Sequence, residues 1–352
     1  MGRKLLWASL VLAPTTILLR YAFQVGDTVL FVAAAAALVP LAWLIGEATE
    51  HAGEHTGPGI GGFLNASFGN APELIIALFA VNESLPDVVR GSLAGSVVSN
   101  ILLVLGAALI FGGEGQGGKP LDRFSILLQL GLVLVAVLVF LVPSVPGWTG
   151  DPERHALAIL SIPVAIVLLL VYAATTIRGL RRHKRLHAES GKTAGDEGWS
   201  LSVALGALAA ATVVTALISE TLVHSLHSFA ESAGLSQFFI AAVIVAIVGN
   251  AAEHGGAIVI ANRGKLPLAT EIAVSSSAQV ALFVTPAIAL LSWVVKPALP
   301  LSFRPIELAT MGGAALVVGF VLADGRGRRW EGFLLVAIYI GVALAFLAAG
   351  DR

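Results

Sequence analysis

Gly69 to Asn82 reads GNAPELIIALFAVN, and Gly249 to Asn262 reads GNAAEHGGAIVIAN. The stretches agree at six of fourteen positions, Gly69/Gly249, Asn70/Asn250, Ala71/Ala251, Glu73/Glu253, Ala77/Ala257 and Asn82/Asn262, at an offset of 180 residues. Each puts Gly-Asn just ahead of a glutamate inside an apolar run. Glycine loosens a helix there, Pro72 removes a backbone donor in the first copy, and carbonyls freed by such a break can face a cavity or an ion. A carboxylate at bilayer depth costs several kcal/mol unless it meets a polar cavity, a partner or a proton. A single such glutamate has an ordinary reading as a hydrogen-bonded structural carboxyl. Two at matching positions of a repeat point to function.

The chain around these motifs reads as a membrane protein. Of its 352 residues 57% are hydrophobic and 12% charged, with mean hydropathy +0.89; the charged share is about half the ~25% of a soluble domain. A net charge of -1 gives no electrostatic grip on nucleic acid. The absence of cysteine removes disulfides, thiolate metal sites and thiol nucleophiles. Met1 to Arg20 resembles a secretory leader only in its basic start, and it is read as a retained first helix.

About 20 apolar residues cross the ~30 Å hydrocarbon layer. That ruler places spans near 5–23, 27–46, 64–82, 87–112, 123–143, 155–178, 200–222, 236–262, 270–295, 304–323 and 330–350. Continuous Leu/Ala/Val-rich runs of this length exclude a β-barrel. With the N-terminus inside, fifteen of the 21 basic residues fall in cytoplasmic segments and six outside, as the positive-inside rule requires. The C-terminus then lies outside. Five spans separate the two motifs, so the copies run through the membrane in opposite senses. The expected fold is all-α, a polytopic membrane protein of about 11 transmembrane helices. It comprises an extra N-terminal helix (1–26), a five-helix repeat (27–178), a basic cytoplasmic linker (179–199) and a second, inverted five-helix repeat (200–352).

Further oxygens stand at matching places. Asn100 follows Glu73 by 27 residues and Gln279 follows Glu253 by 26, each with a serine, Ser96 or Ser275, one turn before it on the same face. Glu50 and Glu220 form a third layer near span ends, as gating or outer-shell carboxylates or as interfacial residues. His254, beside Glu253, is a candidate proton acceptor. The backbone at Gly69 and Gly249, with Asn70 and Asn250 next to it, completes the candidate set.

GNAPEL with GNAAEH, the Asn/Gln pair and Ser219-Glu220 resemble the two signature repeats of calcium/proton antiporters in the calcium/cation antiporter superfamily. The resemblance implies that Glu73 and Glu253 bind Ca²⁺ and exchange it for protons, with Asn100 and Gln279 as companions. Sodium/calcium exchangers resemble this plan but carry a Thr-Ser-x-Pro-Glu type sequence where this chain has Asn-Ala, which favours protons. The acidic linker of many family members is missing. Two Glu, two amides, backbone carbonyls and water suit Ca²⁺, which takes six to eight hard oxygens. Two carboxylates also match its charge, and because protons and metal compete for the same oxygens, exchange follows when the site opens alternately to each side. The expected partners are Ca²⁺, H⁺ and the lipid bilayer, in a prokaryotic plasma membrane, with no cofactor and no nucleic acid.

Sodium/calcium exchange and monovalent cation/proton exchange remain rival readings. The enzyme-class rival is an intramembrane metalloprotease, since His51-Ala-Gly-Glu54-His55 fits H-x-x-E-H. Gly53 inside that motif weakens the helix that would align the ligands, and one catalytic site gives no reason for the repeat. A vestibule lining suits His51, Glu54 and His55 equally well. Gly57 to Gly62 fits G-x-G-x-x-G but follows no strand, so it is set aside.

Overall fold

The computed structural model describes residues 2–115, 117–187 and 199–351. Thirteen helices make up almost all of it: α1 (Gly2–Ser9), α2 (Leu12–Tyr21), α3 (Asp27–Phe68), α4 (Ala71–Asn82), α5 (Pro86–Gly112), α6 (Arg123–Gly147), α7 (His155–His187), α8 (Leu201–Ala233), α9 (Gln237–Gly249), α10 (Ala251–Asn262), α11 (Leu266–Val295), α12 (Pro305–Val321) and α13 (Arg329–Ala349). Among the described residues seven helices are long and apolar enough to cross a membrane, or eight if α9 and α10, bent by 58° at Asn250, count as one span. This is a helical membrane protein.

Contacts between chain ends and loops sort them onto two faces. On one, the strands Lys119–Pro120 and Arg326–Gly327 pair antiparallel, Lys119 Nζ donates to the Gly264 carbonyl at 3.3 Å, and His55 Nε2 meets the Trp199 carbonyl at 2.6 Å. On the other, Ser228 donates to Asp27 at 2.8 Å, and Arg90 reaches Glu153 and the Pro300 carbonyl at 2.6 and 3.3 Å. There too Arg304 donates to the Gly350 carbonyl at 2.7 Å, and Asp351 accepts from the Phe238 amide at 2.8 Å. An alternation of this kind along the chain is consistent with the expected eleven crossings.

The hydropathy ruler misses three boundaries, each for a local reason. The first expected span divides into α1 and α2 because Pro14 has no N–H to give the Leu10 carbonyl, and the helix breaks at Leu10–Val11. Helix α3 runs on through 47–63, where the ruler places a loop between spans, and ends at Phe68, inside the span expected over 64–82; hydropathy marks where apolarity stops, whereas Glu47, His51 and Glu54 pair along the helix at i,i+4 and i,i+3 and favour its continuation. Helix α7 likewise continues past 178 to His187, and the rest of the expected linker up to Trp199 lies outside the described residues.

The two halves cross closely. A Cβ on Gly95 of α5 would stand 2.0 Å from the Ala242 carbonyl oxygen of α9, so only glycine lets these backbones approach. Wider-turned π segments interrupt α5 at Ser99–Val104 and α11 at Val280–Val284, places equivalent in the two halves, and α9 at Ile240–Val245. Such bulges tend to mark functional positions.

Candidate functional site

Both Gly-Asn motifs form breaks. The backbone at Asn70 (φ -103, ψ 21) and Asn250 (φ -92, ψ 9) leaves the helical region. Helices α4 and α10 then restart one residue later, with Pro72 in the first turn of α4, where a missing donor costs nothing. Each restart carries its glutamate in the first turn, where the helix dipole favours a negative charge.

The two breaks face each other. A Cβ on Gly249 would lie 3.3 Å from Cγ of Glu73 and 3.7 Å from its Cδ, so the Glu73 carboxyl packs on the glycine of the opposite motif. The asparagines brace the pair crosswise. Asn70 Nδ2 donates to Gln279 Oε1 at 2.9 Å, while Asn250 Nδ2 donates to Ser96 Oγ at 2.8 Å and Asn250 Oδ1 accepts from Asn100 Nδ2 at 3.4 Å. Each break is thereby tied to the π-bearing helix of the other half, α11 or α5. His254 Nε2 donates to Asn100 Oδ1 at 2.9 Å.

The glutamates differ in their partners. Ser276 Oγ donates to Glu253 Oε2 and accepts from Asn100 Nδ2 at 3.0 Å. Glu73 is 7% exposed, and neither of its carboxylate oxygens has a hydrogen-bond partner; nor has Asn70 Oδ1. Buried polar atoms in folded proteins are almost always paired. Three orphaned oxygens on adjacent turns, two of them on a carboxylate, form an acceptor set shaped for a cation or a proton.

A cavity of about 610 Å³ leads to this point from the face that carries Glu50 and Gly53, and Trp43, Gly69, Glu253, Gly256, Ser276 and Gln279 line it. It reaches Glu253 and stops short of Glu73. Glu50 and Ser275 also stand on its wall, the latter donating to the Ile272 carbonyl at 3.2 Å. Glu220 lies apart, held by Arg20 of α2 at 3.0 Å. His51 and His55 pack against Trp199, the His51 ring centroid 5.1 Å from the indole and His55 Nε2 2.6 Å from the Trp199 carbonyl, and neither lines the cavity. Among the described residues no three His, Cys, Asp or Glu side chains cluster as a metal site.

Sequence reasoning missed Ser276, the direct partner of Glu253, and chose Ser275 by counting one turn back from Gln279. The signal was present: Ser276 lies 180 residues after Ser96, the same offset that relates the motifs.

A model of the sodium/calcium exchanger protein family matches residues 27–178 and 203–348. The chain belongs to that family. The exchanger is 40% identical over 325 residues to the Ca(2+)/H(+) antiporter ChaA of Bacillus subtilis (strain 168), covering 91% of this chain and 92% of that one. It is 36% identical to the Ca(2+)/H(+) antiporter of Aphanothece halophytica, with 90% and 89% covered. Its fold superposes on the structure of native YfkE with a TM-score of 0.82 at 36% identity, over 97% of this chain and 99% of that one.

Proposed function

We propose that this exchanger is a secondary antiporter that moves Ca²⁺ in one direction and H⁺ in the other by alternating access. The observation that carries the reading is the buried Glu73 carboxylate, unpartnered and pressed against the opposite motif. In this reading Glu73 and Glu253 bind one Ca²⁺ together or hold protons in its place. Asn100, Gln279 and backbone carbonyls at Gly69 and Gly249 add neutral oxygens as the hydrogen-bonded braces around them rearrange, and His254 is the neighbouring proton acceptor. The names of the relatives at 36 and 40% identity support calcium and protons as the exchanged pair. The bias of basic residues orients the cavity toward the cytoplasm of a prokaryotic cell, with the C-terminus outside.

Because each Ca²⁺ displaces protons from the carboxylates, apparent affinity rises with pH, by up to about tenfold per pH unit for each proton displaced. If two protons leave per Ca²⁺, the cycle is electroneutral and one pH unit sustains about a hundredfold calcium gradient. The test is Ca²⁺ uptake into proteoliposomes under an imposed pH gradient, and separately under a sodium gradient at fixed pH. Uptake should follow pH and ignore sodium; uptake driven by sodium alone would replace this reading with sodium/calcium exchange.

A further inference from the structure

Hydroxyls inside this protein's helices usually turn back on their own backbone. Thr16, Thr49, Ser144 and Thr270 each donate to the carbonyl four residues earlier, the usual resort of Ser and Thr within a helix. Thr215 and Ser219 of α8 do not. Both are 0% exposed, and neither hydroxyl has a hydrogen-bond partner. Four residues apart, they lie on one face of α8. Helices α2, α3 and α4 pack along α8, and α4 carries Glu73. Ile218 and Leu222, their neighbours on α8, share one apolar core with Ile76 and Ala80 of α4.

The matching helix of the first half tells what this face is for. Thr49-Glu50 of α3 corresponds to Ser219-Glu220 at an offset of 170, and buried positions coincide on both sides of it: Leu38 with Leu208, Leu41 with Ala211 and Ala48 with Ile218 before it, Ala52 with Leu222 after it. Thr49 lines the open cavity that reaches Glu253. Ser219 holds the corresponding place on the closed side, one turn from Thr215.

We propose that Thr215 and Ser219 line the second half of the ion path, between Glu73 and the face opposite the cavity, and that their hydroxyl oxygens coordinate the passing Ca²⁺ when that half opens. The inference rests on the antiport reading above. Ca²⁺ accepts neutral oxygens of variable geometry in its shell, which two hydroxyls on one helix face can supply. With that half closed, the same hydroxyls are buried and unpartnered.

The test uses the full-length protein in proteoliposomes, with Ca²⁺ presented to each face in turn, and the variants Ser219→Ala and Thr215→Val. Half-saturating Ca²⁺ at the face opposite the cavity should rise about fivefold in each, the worth of one lost oxygen contact, while the cavity-side value stays within about twofold. No change at the opposite face, or equal changes at both, overturns the proposal. Failure of wild type to exchange Ca²⁺ for H⁺ at all would instead defeat the underlying antiport reading. Ser219→Cys supplies a readout that needs no transport, because the chain has no other cysteine. A thiol reagent that cannot cross the membrane should modify it from the opposite face, with Ca²⁺ protecting it. Modification from the cavity face only, or no modification in folded protein, overturns the assignment.

Discussion

In the first half of the exchanger the motif glutamate is followed by Leu74-Ile75-Ile76, and in the second by His254-Gly255-Gly256. Ile76 is 2% exposed, and its Cδ1 lies 3.8 Å from where a Cβ on Gly249 would be. Gly256 lines the cavity, with no atom within 4 Å of the place its own Cβ would take. Two breaks of nearly the same backbone shape therefore sit in opposite surroundings, one filled by branched side chains and one left open. On the proposed reading, in which both glutamates serve one ion, the repeated backbone provides two routes to one site, and side-chain volume beside each glutamate sets which route stands open. The same asymmetry reaches the carboxylates: Glu253, on the open side, is held by Ser276, whereas Glu73, on the filled side, has no partner.

The severest way to break this comparison is to remove the charges. Glu73→Gln and Glu253→Gln should each abolish exchange in folded protein, because Gln keeps volume and polarity but loses the charge that pairs with the ion, and removing one partner of a buried charge pair costs about 3–5 kcal/mol, hence at least about a hundredfold in Ca²⁺ affinity. If the two glutamates serve one ion, neither variant retains wild-type binding despite their different partners. Equilibrium Ca²⁺ binding at several pH values, with melting temperature as a check on folding, decides it; wild-type affinity in either variant would sink the shared site. Asn100→Ala and Gln279→Ala should weaken binding less, about three- to tenfold, since water can replace a neutral oxygen.

A milder intervention copies the filled side onto the open one. The Cβ of Gly256→Ile would have no atom within 4 Å, and the change improves helix propensity, so the protein should fold. Its side chain occupies the cavity beside Glu253. The conformation open on the cavity side is then disfavoured, and apparent Ca²⁺ affinity from that side should fall about tenfold, as for a ligand whose competent state is a tenth as populated. Sided uptake measures this, and unchanged cavity-side affinity would show that side-chain volume at this position does not set the opening.

The breaks were legible in the sequence because Gly-Asn ahead of a glutamate within an apolar run has few other uses, and the repeat was legible because both copies kept that pattern, with Pro72 added in the first. The π segments after Val98 and Gln279 carry no such mark: SNILLV and VALFV suit an α-helix equally well, and only the packing of α5 and α11 selects the wider turn. In 47–63 the only local mark that α3 continues is the pairing of His51 with Glu47 and Glu54, which hydropathy does not weigh, and the rest depends on partners such as Trp199, 144 residues distant from His55. Hydroxyl roles were the least legible. Ser275, Ser276 and Ser277 are adjacent, yet one lines the cavity wall, one holds Glu253, and one donates to the Val97 carbonyl across the interface.

The smallest expected effect separates two carboxylates that the sequence presents as a pair. Glu50 is exposed on the cavity wall, where a negative charge raises the local concentration of a divalent cation. Glu220 is bound to Arg20 at 3.0 Å, and the same guanidinium donates to Thr221 at 2.8 Å, fastening α2 to α8. With the Glu220 side chain 39% exposed, such an ion pair contributes at most about 1 kcal/mol and is screened by salt. Glu220→Gln should thus shift the melting temperature by a degree or two at most and leave exchange within about twofold of wild type. Glu50→Gln should slow Ca²⁺ entry from the cavity side severalfold at low ionic strength, and the deficit should vanish near ~1 M salt, where the screening length falls to about 3 Å. A loss of exchange in Glu220→Gln equal to that in Glu50→Gln would mean that Glu220 leaves Arg20 during the cycle and enters the ion path, and the two halves would then be more alike at work than at rest.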